Sequence, residues 1–314
     1  MNFAFTFPGQ GSQSVGMGQT LSEAFTSARL VFEEVDDALS QNLSHIMWHG
    51  PMEELTLTSN TQPALMACSL AAMAALKTEF DVDVNAASYV AGHSLGEYSA
   101  LCAAGVVSIA DTARLLRIRG DAMQAAVPVG AGAMAALLGA SVEDAETAVK
   151  AGQAKGICQI ANDNATGQIV LSGEKEAVEL AAQTARDMGV KKAVILPVSA
   201  PFHCDMMAPA AQAMKDALAD TVFHAPSVPI INNVQAIPVT DIDSLKTDLV
   251  AQVTGRVRWR ESVEWMANNE IDTFAEPGTG KVLTTMLKRI VKGLNGKALN
   301  SPEGLESFAE SVKN

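Results

Sequence analysis

The stretch most suited to chemistry is Gly92-His93-Ser94-Leu95-Gly96, a Gly-x-Ser-x-Gly sequence with an apolar run before it and an Ala-rich run after it. The order of strand, tight turn and helix is the context that a nucleophile elbow requires. Side chains in place of Gly92 and Gly96 would collide with the strand and the helix, so we expect a strained turn. That turn would raise the Ser94 hydroxyl above a sheet, beside the N–H groups that begin a helix. The alternative is a glycine-flanked helix start in which the serine is only a cap.

A histidine that could activate this serine lies far along the chain, at His203 in Ala200-Pro201-Phe202-His203. We predict a short, exposed turn just before a helix over residues 206–219, a setting in which a general base can titrate near working pH. A lone histidine is more often structural, and that alternative stays open at this point. The position favours a base, because it follows the place where a predicted inserted domain rejoins the domain that carries Ser94.

Arg119 is the third candidate, within a predicted helix that begins at a capping box at residues 108–111 and runs to about residue 126. Leu115, Leu116 and Met123 place it on the apolar face of that helix, with no acid within helical reach. A guanidinium there is costly unless something anionic meets it. The anion is either an acid from elsewhere in the fold or a substrate carboxylate, which the arginine fork binds through both oxygens.

The elements that must position these residues follow from the apolar patterns. Residues 3–7 predict a buried strand, which runs into the glycine-rich loop Gly9-Gln10-Gly11-Ser12-Gln13. This loop lacks the Walker spacing and its lysine, so the alternative to phosphate binding is a loop that gives a backbone N–H to an oxyanion. Residues 41–60 predict an irregular connection. Further helices are predicted over residues 17–40, 62–80, 241–253 and 282–290, and further strands over 228–233 and 271–275.

A change of pattern after Val127-Pro128 predicts a second, smaller domain. Strands over residues 132–138, 157–161, 167–172 and 191–197, with helices over 142–151 and 174–188, give the order β-α-β-β-α-β. This is the ferredoxin-like order. We therefore predict a large α/β domain formed by residues 1–127 and 199–314, with residues 128–198 inserted into it.

The bulk composition limits the classes of function. The chain has 314 residues, 48% of them hydrophobic and 18% charged, which is enough for a substantial core. A formal net charge of −13 argues against nucleic acid or an anionic membrane as the main partner. The four cysteines contain no C-x-x-C pair, and the N-terminus lacks a basic region, so we expect a soluble protein of the reducing cytoplasm.

These stretches together resemble one family, the malonyl-CoA:acyl-carrier-protein transacylases of fatty-acid synthesis. The matching pieces follow the family's order over nearly the whole chain: residues 7–13, 92–98, 119–120, 132–136, 161–162, 203–204 and 276–278. No single piece is decisive, but the set is highly specific. The resemblance implies a hydrolase-like α/β domain with a parallel sheet and an inserted ferredoxin-like domain, in agreement with the predicted elements.

The resemblance also implies a ping-pong reaction. Ser94 would form a malonyl ester, with His203 as its base, before the phosphopantetheine thiol of an acyl carrier protein accepts the malonyl group. The N–H groups of Gln10 and Leu95 would form the oxyanion hole. Arg119 would hold the free malonyl carboxylate. Malonyl-CoA is then a substrate, and neither a metal nor a resident cofactor is expected.

Four further positions take roles from the same resemblance. The main-chain carbonyl of Gln252 would orient the histidine, and His93 and Asn162 would lie near the active-site cleft. Related acyltransferase domains that prefer malonyl units carry Phe where this chain has Phe202, and its ring would fill the space that an α-methyl group needs. The local sequence begins with Ala200, which departs from the His-Ala-Phe-His pattern of those domains.

The carrier protein presents an electrostatic problem, because carrier proteins of this pathway are acidic and so is this chain. We expect docking on local basic groups, either Lys191-Lys192 or the cluster Lys281, Lys288, Arg289 and Lys292. We also expect a monomer. The alternatives to the fatty-acid enzyme are a trans-acting polyketide malonyltransferase, a serine esterase or thioesterase, and a non-catalytic carrier-binding protein. An esterase for neutral acyl chains has no use for a buried cation, and a scaffold has no use for the serine.

Overall fold

The computed structural model describes residues 1–313, which form two β-sheets with helices packed on them. The strands, in chain order, are β1 (Phe3–Phe7), β2 (Tyr89–Gly92), β3 (Gly132–Leu138), β4 (Cys158–Ala165), β5 (Gln168–Glu174), β6 (Lys192–Ile195), β7 (Ile230–Ile231), β8 (Pro238–Val239), β9 (Thr273–Pro277) and β10 (Asn295–Leu299). The helices are α1 (Gln19–Ala24), α2 (Thr26–Leu39), α3 (Leu43–His49), α4 (Met52–Thr56), α5 (Thr58–Phe80), α6 (Gly96–Ala103), α7 (Ile109–Ala125), α8 (Val142–Gly152), α9 (Lys175–Asp187), α10 (Ala208–Asp220), α11 (Ile242–Thr254), α12 (Trp259–Asn268), α13 (Val282–Ile290) and α14 (Pro302–Lys313).

The larger sheet has the strand order β10-β9-β1-β2-β7-β8 in the described chain. All its neighbouring strands run parallel except β7 and β8, which form an antiparallel edge. β1 is buried along its whole length because it pairs with β2 and β9 and is covered on both faces. Its Phe3 and Phe5 rings pack edge-on against Phe308 of α14, with centroids 5.3 and 5.9 Å away. The predicted α/β fold with a parallel sheet is confirmed.

The smaller sheet has the order β4-β5-β3-β6 and is antiparallel throughout. In ferredoxin-like folds the first and third strands lie side by side in the centre, as β3 and β5 do here. Helices α8 and α9 pack on this sheet around a separate apolar core. The ferredoxin-like element order is confirmed. The predicted domain boundaries, at residues 128 and 198, lie in the connections before β3 and after β6.

A short backbone bridge and an ion pair with a buried carboxylate tie the smaller sheet to the larger domain. Asp163 N donates to Val257 O (2.9 Å), and Val257 N donates to Ala161 O (2.8 Å), so β4 is tied to the segment before α12. Arg260 Nη2 lies 2.8 Å from Asp163 Oδ2, and the Asp163 side chain is only 1% exposed. These contacts hold the end of β4 beside the carboxyl edge of the larger sheet.

Several predicted elements need correction. Residues 41–60 are not irregular but contain α3 and α4, whose short lengths carry little periodicity; Asn42 caps α3 through the His45 N–H (3.1 Å). The helix predicted over residues 17–40 divides into α1 and α2 at Phe25, whose extended backbone places its ring against Phe80. The strand predicted over residues 228–233 is only the two residues of β7. In the described part of the chain, no helix is long and apolar enough to cross a membrane.

Candidate active site

The site is built where three neighbouring parallel strands end. β1, β2 and β7 lie side by side, and their carboxyl ends lead into Gln10, Ser94 and Asn233 respectively. Ligand sites of parallel α/β sheets lie at this edge, because loops from adjacent strands converge there. The His93 N–H donates to Phe7 O (3.0 Å), which fixes the turn after β2 against the end of β1.

The turn at Ser94 has the strained geometry of a nucleophile elbow. The backbone of Ser94 has φ 55°, a left-handed conformation that L-residues adopt only when the surroundings enforce it. A Cβ at position 92 would lie 1.9 Å from the Gly96 carbonyl carbon, and one at position 96 would lie 2.2 Å from Phe7 O. Neither position can hold a side chain without moving the strand or the helix. Asn233 supports the turn, with its Oδ1 accepting the Ser94 N–H (2.7 Å) and its Nδ2 donating to Gly92 O (2.6 Å).

Ser94 and His203 are in direct contact although 109 residues separate them. The distance from Ser94 Oγ to His203 Nε2 is 2.7 Å, and the distance from His203 Nδ1 to Gln252 O is 2.8 Å. Since a carbonyl oxygen only accepts, the proton of the neutral ring is on Nδ1, and Nε2 faces the serine as an acceptor. The Gln252 carbonyl is available because it lies in the last turn of α11, where carbonyls have no partner in the helix. The predicted carbonyl contact is therefore present.

The exposed setting predicted for His203 is wrong, because its side chain is buried and only 4% of the residue is accessible. Residues 205–207 form a short 3-10 turn before α10, and His203 itself has φ 61°, which turns the ring inward. Burial lowers the pKa of His203 to about 3, and the positive charge of Arg119 acts in the same direction. The imidazole is therefore neutral, the form a general base needs, across the physiological range.

Arg119 reaches the serine from α7 and is 1% exposed. Its Nη1 donates to Gln62 Oε1 (2.8 Å), and its Nη2 donates to Gln252 Oε1 (2.9 Å) and to Ser94 Oγ (3.1 Å). Its guanidinium carbon lies 5.6 Å from the centroid of the Tyr98 ring. In residues 1–313 no carboxylate lies within ion-pair distance, and Nε has no hydrogen-bond partner. The guanidinium is held by neutral acceptors beside the nucleophile, and no acid forms a direct ion pair with it. The charge of Glu97 acts on it from the far side of the Gln252 amide.

A cleft of about 210 Å³ opens over these residues, between the two sheets. The larger domain contributes its polar floor. The smaller sheet contributes the apolar side chains of Met134 and Val170 and the amides of Asn162 and Asn164. The predicted residues that line it are Gln10, His93, Ser94, Leu95, Arg119, Asn162, Phe202 and His203, whereas Gln252 lies behind this floor. His93 Nε2 bonds Asn164 Oδ1 across the cleft (2.7 Å), so His93 ties the elbow to β4.

The backbone N–H groups around the elbow are not equally free. Those of Gly96, Glu97 and Tyr98 donate to His93 O, Ser94 O and Leu95 O at 2.9–3.0 Å. They are therefore engaged in the turn itself and do not face an anion. The first N–H after the nucleophile, on Leu95, and the loop N–H of Gln10 remain the groups predicted to bind an oxyanion.

A model of the acyl transferase domain family matches residues 4–301. The chain belongs to the acyl transferase domain family. The malonyl CoA-acyl carrier protein transacylase of Bacillus subtilis (strain 168) is 42% identical over 311 residues, 99% of this chain and 97% of the relative. The crystal structure of the acyl-carrier-protein-S-malonyltransferase from Bartonella henselae matches with a TM-score of 0.98 and 54% identity over 100% of both chains. A solved complex of a type II PKS acyl-carrier protein with its malonyl-transacylase matches with a TM-score of 0.95 and 40% identity, over 99% of this chain and 100% of that one. The resemblance stated from the motifs is confirmed.

This acyl transferase contains site residues that the sequence reasoning missed. Gln62 on α5, Asn233 after β7 and Glu97 on α6 all bond to the predicted set. The sequence held one indication for Glu97, which is a single charge within the otherwise uncharged helix Gly96–Ala103. Gln62 and Asn233 carry no such indication, since amides are common in helices and turns. In the described chain, no group of three His, Cys, Asp or Glu side chains is placed to hold a metal ion.

Proposed function

We propose that this chain transfers the malonyl group of malonyl-CoA to the phosphopantetheine thiol of an acyl carrier protein, through an ester on Ser94. The observation that carries this proposal is the buried Arg119, whose Nη2 lies 3.1 Å from the Ser94 hydroxyl and which forms no direct ion pair with a carboxylate of residues 1–313. Neutral oxygens of Gln62 and Gln252 now accept its hydrogen bonds, and a carboxylate that replaced them would lie beside the nucleophile. An acyl group with a free carboxylate, such as malonyl, supplies that anion.

The first half-reaction follows from the contacts of Ser94. His203 Nε2 takes the hydroxyl proton as Oγ attacks the thioester carbonyl carbon, while the N–H groups of Gln10 and Leu95 stabilise the oxyanion. When the tetrahedral intermediate collapses, the carbon–sulfur bond breaks and His203 returns the proton to the coenzyme A thiolate. The malonyl ester on Ser94 remains, with its carboxylate on Arg119.

The second half-reaction reverses these steps with a different thiol. His203 takes the proton of the carrier-protein phosphopantetheine thiol, whose sulfur attacks the ester carbon, and then returns that proton to Ser94 Oγ. Acyl transfer needs no change of redox state, and no resident cofactor is part of the proposal. The four cysteines are free and buried, which supports a reducing compartment, the cytoplasm, as the site of the reaction.

Substrate binding also changes the basicity of His203. In the free site, the charge of Arg119 helps to lower the pKa of this histidine. A malonyl carboxylate on Arg119 neutralises that charge, so the imidazole becomes a stronger base when the correct substrate is bound. A neutral acyl group leaves the charge uncompensated. The same arginine therefore favours malonyl both in binding and in proton transfer.

Replacement of Arg119 by alanine tests the proposal. We expect the rate of Ser94 acylation by malonyl-CoA to fall by on the order of 10²-fold or more, because a buried charge partner is lost. Acylation by acetyl-CoA should change much less. The measurement is the initial rate of acyl-enzyme formation by intact mass, with Arg114→Ala, an exposed arginine of the same helix, as the matched control. Full retention of malonyl transfer by the Arg119→Ala variant would instead favour an esterase site for neutral chains, and equal losses for both acyl groups would contradict a role for Arg119 in selecting malonyl.

The pH dependence of acylation gives a second test. Because the pKa of His203 is lowered to about 3, the neutral base is fully present above about pH 4. We expect kcat/KM for malonyl-CoA to show no acidic limb between about pH 5 and about pH 8. An acidic limb with a midpoint near about 6.5, the value of an ordinary histidine, would contradict the burial of this base.

The carrier protein is proposed to dock on one of two basic clusters. Lys191 and Lys192 are exposed at the start of β6. Lys281 and Arg289 line a surface cleft against Gln168 of β5, with Arg289 Nη1 donating to Gln168 Oε1 (3.2 Å). Changing the docking pair to glutamate should raise KM for carrier protein roughly 5- to 10-fold, without changing KM for malonyl-CoA. Each pair serves as the control for the other, and an unchanged KM in both would overturn the idea.

A polyketide role has the same chemistry and a different carrier. The similarity to a malonyl-transacylase solved with a type II PKS acyl-carrier protein supports this second candidate function. The two are separated by presenting fatty-acid and polyketide carrier proteins to the malonylated enzyme and comparing kcat/KM for discharge.

A further inference from the structure

Glu97 is a buried carboxyl group directly behind the nucleophile elbow. It lies in the first turn of α6 and is 1% exposed. Its Oε2 accepts hydrogen bonds from Asn233 N (3.1 Å) and from Gln252 Nε2 (2.8 Å), whereas its Oε1 has no partner in residues 1–313. Burial of a carboxyl group costs free energy, and here the two donors satisfy only Oε2 and leave Oε1 without a partner. A glutamine could accept the same two hydrogen bonds without an ionisable group, so these two contacts do not by themselves require an acid.

The Oε2 atom of Glu97 is the nearest of three acceptors that orient the Gln252 amide. Gln252 Nε2 faces Glu97 Oε2 at 2.8 Å, the main-chain oxygen of Ser94 at 2.9 Å and Asn233 Oδ1 at 3.3 Å. Its Oε1 consequently faces Arg119 and accepts from Nη2 (2.9 Å). Reversing this amide would bring an NH₂ group against a guanidinium and an oxygen against three acceptors. The acid thus helps to hold the acceptor that faces Arg119.

Gln252 and Asn233 connect Glu97 to the rest of the site. The main-chain oxygen of Gln252 accepts the Nδ1–H of His203 (2.8 Å). Asn233, held by Glu97 through its N–H, accepts the N–H of Ser94 on its own Oδ1. One carboxyl group therefore lies one residue away from the base, the nucleophile and the substrate cation.

We propose that Glu97 is a positioning residue of the transfer reaction, which acts through the Gln252 amide to hold Arg119 in the orientation that receives the malonyl carboxylate. This inference rests on the function proposed above and adds a specificity determinant to it. Glu97 touches no reacting atom. Its effect should appear as preference for malonyl over neutral acyl groups, because Arg119 is the group whose orientation it controls.

The charged and titratable groups near Glu97 are Arg119 on α7, Asp248 on α11 and Tyr98 on α6. Burial raises the pKa of Glu97 to about 7, and the charge of Asp248 acts in the same direction, against the donors and Arg119. Oε2 can accept both hydrogen bonds whether the group is ionised or not. Glutamine at position 97 can therefore present one oxygen to the same two donors, which makes it the conservative substitution.

The experiment compares the initial rates of Ser94 acylation by malonyl-CoA and acetyl-CoA, measured by intact mass. For Glu97→Met, which keeps the side-chain volume but removes the acceptor, we expect the malonyl-to-acetyl ratio to fall roughly 10-fold or more. Glu97→Gln should restore most of that ratio. Once the Gln252 side chain is also removed by Gln252→Met, the substitution of Glu97 should have little further effect on the ratio.

Glu276 supplies the matched structural control. It is equally buried, at 1% exposure, but its carboxyl group accepts from Leu283 N (3.1 Å) and Thr284 N (2.8 Å) at the start of α13. Glu276→Met should lower the melting temperature without changing the malonyl-to-acetyl ratio. If Glu97→Met does not fold, Glu97→Asp is the substitute, because its shorter side chain withdraws the acceptor from Gln252 while keeping the acid. A lowered malonyl-to-acetyl ratio in Glu97→Asp would support the positioning role, and an unchanged ratio would contradict it.

An unchanged ratio in the Glu97 variants, or equal losses for both acyl groups, would overturn the positioning role. Failure to rescue with glutamine would also contradict it, because the proposal requires an acceptor and not a charge. These outcomes differ from failure of the proposed function. In that case the wild-type chain itself would form no malonyl ester, and both proposals would fall.

Discussion

Replacing Ser94 with alanine is expected to reduce transfer from malonyl-CoA to holo-acyl carrier protein below detection. The hydroxyl is the only group within reach of His203 Nε2 in the described site, at 2.7 Å, and without it no acyl-enzyme can form. Loss of a serine nucleophile costs on the order of 10⁶-fold in rate. The measurement is the mass of the carrier protein after incubation with enzyme and malonyl-CoA.

The matched control for this substitution is Ser99→Ala. Ser99 is a buried serine of α6, the helix that follows the elbow, and its Oγ has no hydrogen-bond partner within residues 1–313. The same atom is removed, so any general effect of truncating a buried serine near the elbow would appear in this variant also. Ser99→Ala should keep full transfer activity. A Ser94→Ala variant that still transferred malonyl groups would show that Ser94 is not the nucleophile.

Replacing His203 with alanine is the second large expected effect. Without the imidazole, no group takes the Ser94 proton or returns it to the leaving thiolate, and general acid–base catalysis is worth roughly 10²- to 10⁴-fold. We expect a loss of this size in the rate of coenzyme A release, measured by stopped flow with a thiol reagent. Some acylation should remain, because Arg119 and the oxyanion N–H groups are still in place.

An exposed histidine outside the cleft, His224, provides the control for this variant. His224→Ala should acylate at the wild-type rate. A His203→Ala variant with normal release of coenzyme A would show that another group is the base, and the contact between His203 and Ser94 would then be structural.

The sequence predicted structure best where neighbouring residues alone determine the conformation of an element. The elbow followed from Gly92 and Gly96, because their Cβ atoms would collide with backbone, and α13 has the predicted bounds. In the smaller domain, alternation and turn residues placed β3 correctly at both ends and the other elements within a few residues. Arg119 could be singled out because a cation on an apolar helix face requires an explanation.

Contacts between residues that are far apart in the chain could not be predicted from the sequence. His203 is buried because chain-distant segments pack around it, among them the elbow at Ser94 and the end of α11 at Gln252, and no local pattern predicts that packing. The side-chain amide of Gln252 contacts four groups. Three of them, on Ser94, Glu97 and Arg119, are more than 100 residues away in the chain, and the fourth is on Asn233. The short β8 was missed because its two residues are too few to show a period.

The central claim is that Ser94 carries a malonyl ester between two thiols. Its most direct test is intact-mass spectrometry of the wild-type chain mixed briefly with malonyl-CoA, followed by peptide mapping and by addition of holo-acyl carrier protein. We predict a mass increase of one malonyl group, located on Ser94, which disappears as the carrier protein gains the same mass. Absence of the adduct, an adduct on another residue, or its loss to water as free malonate without gain of mass by the carrier protein would contradict the claim.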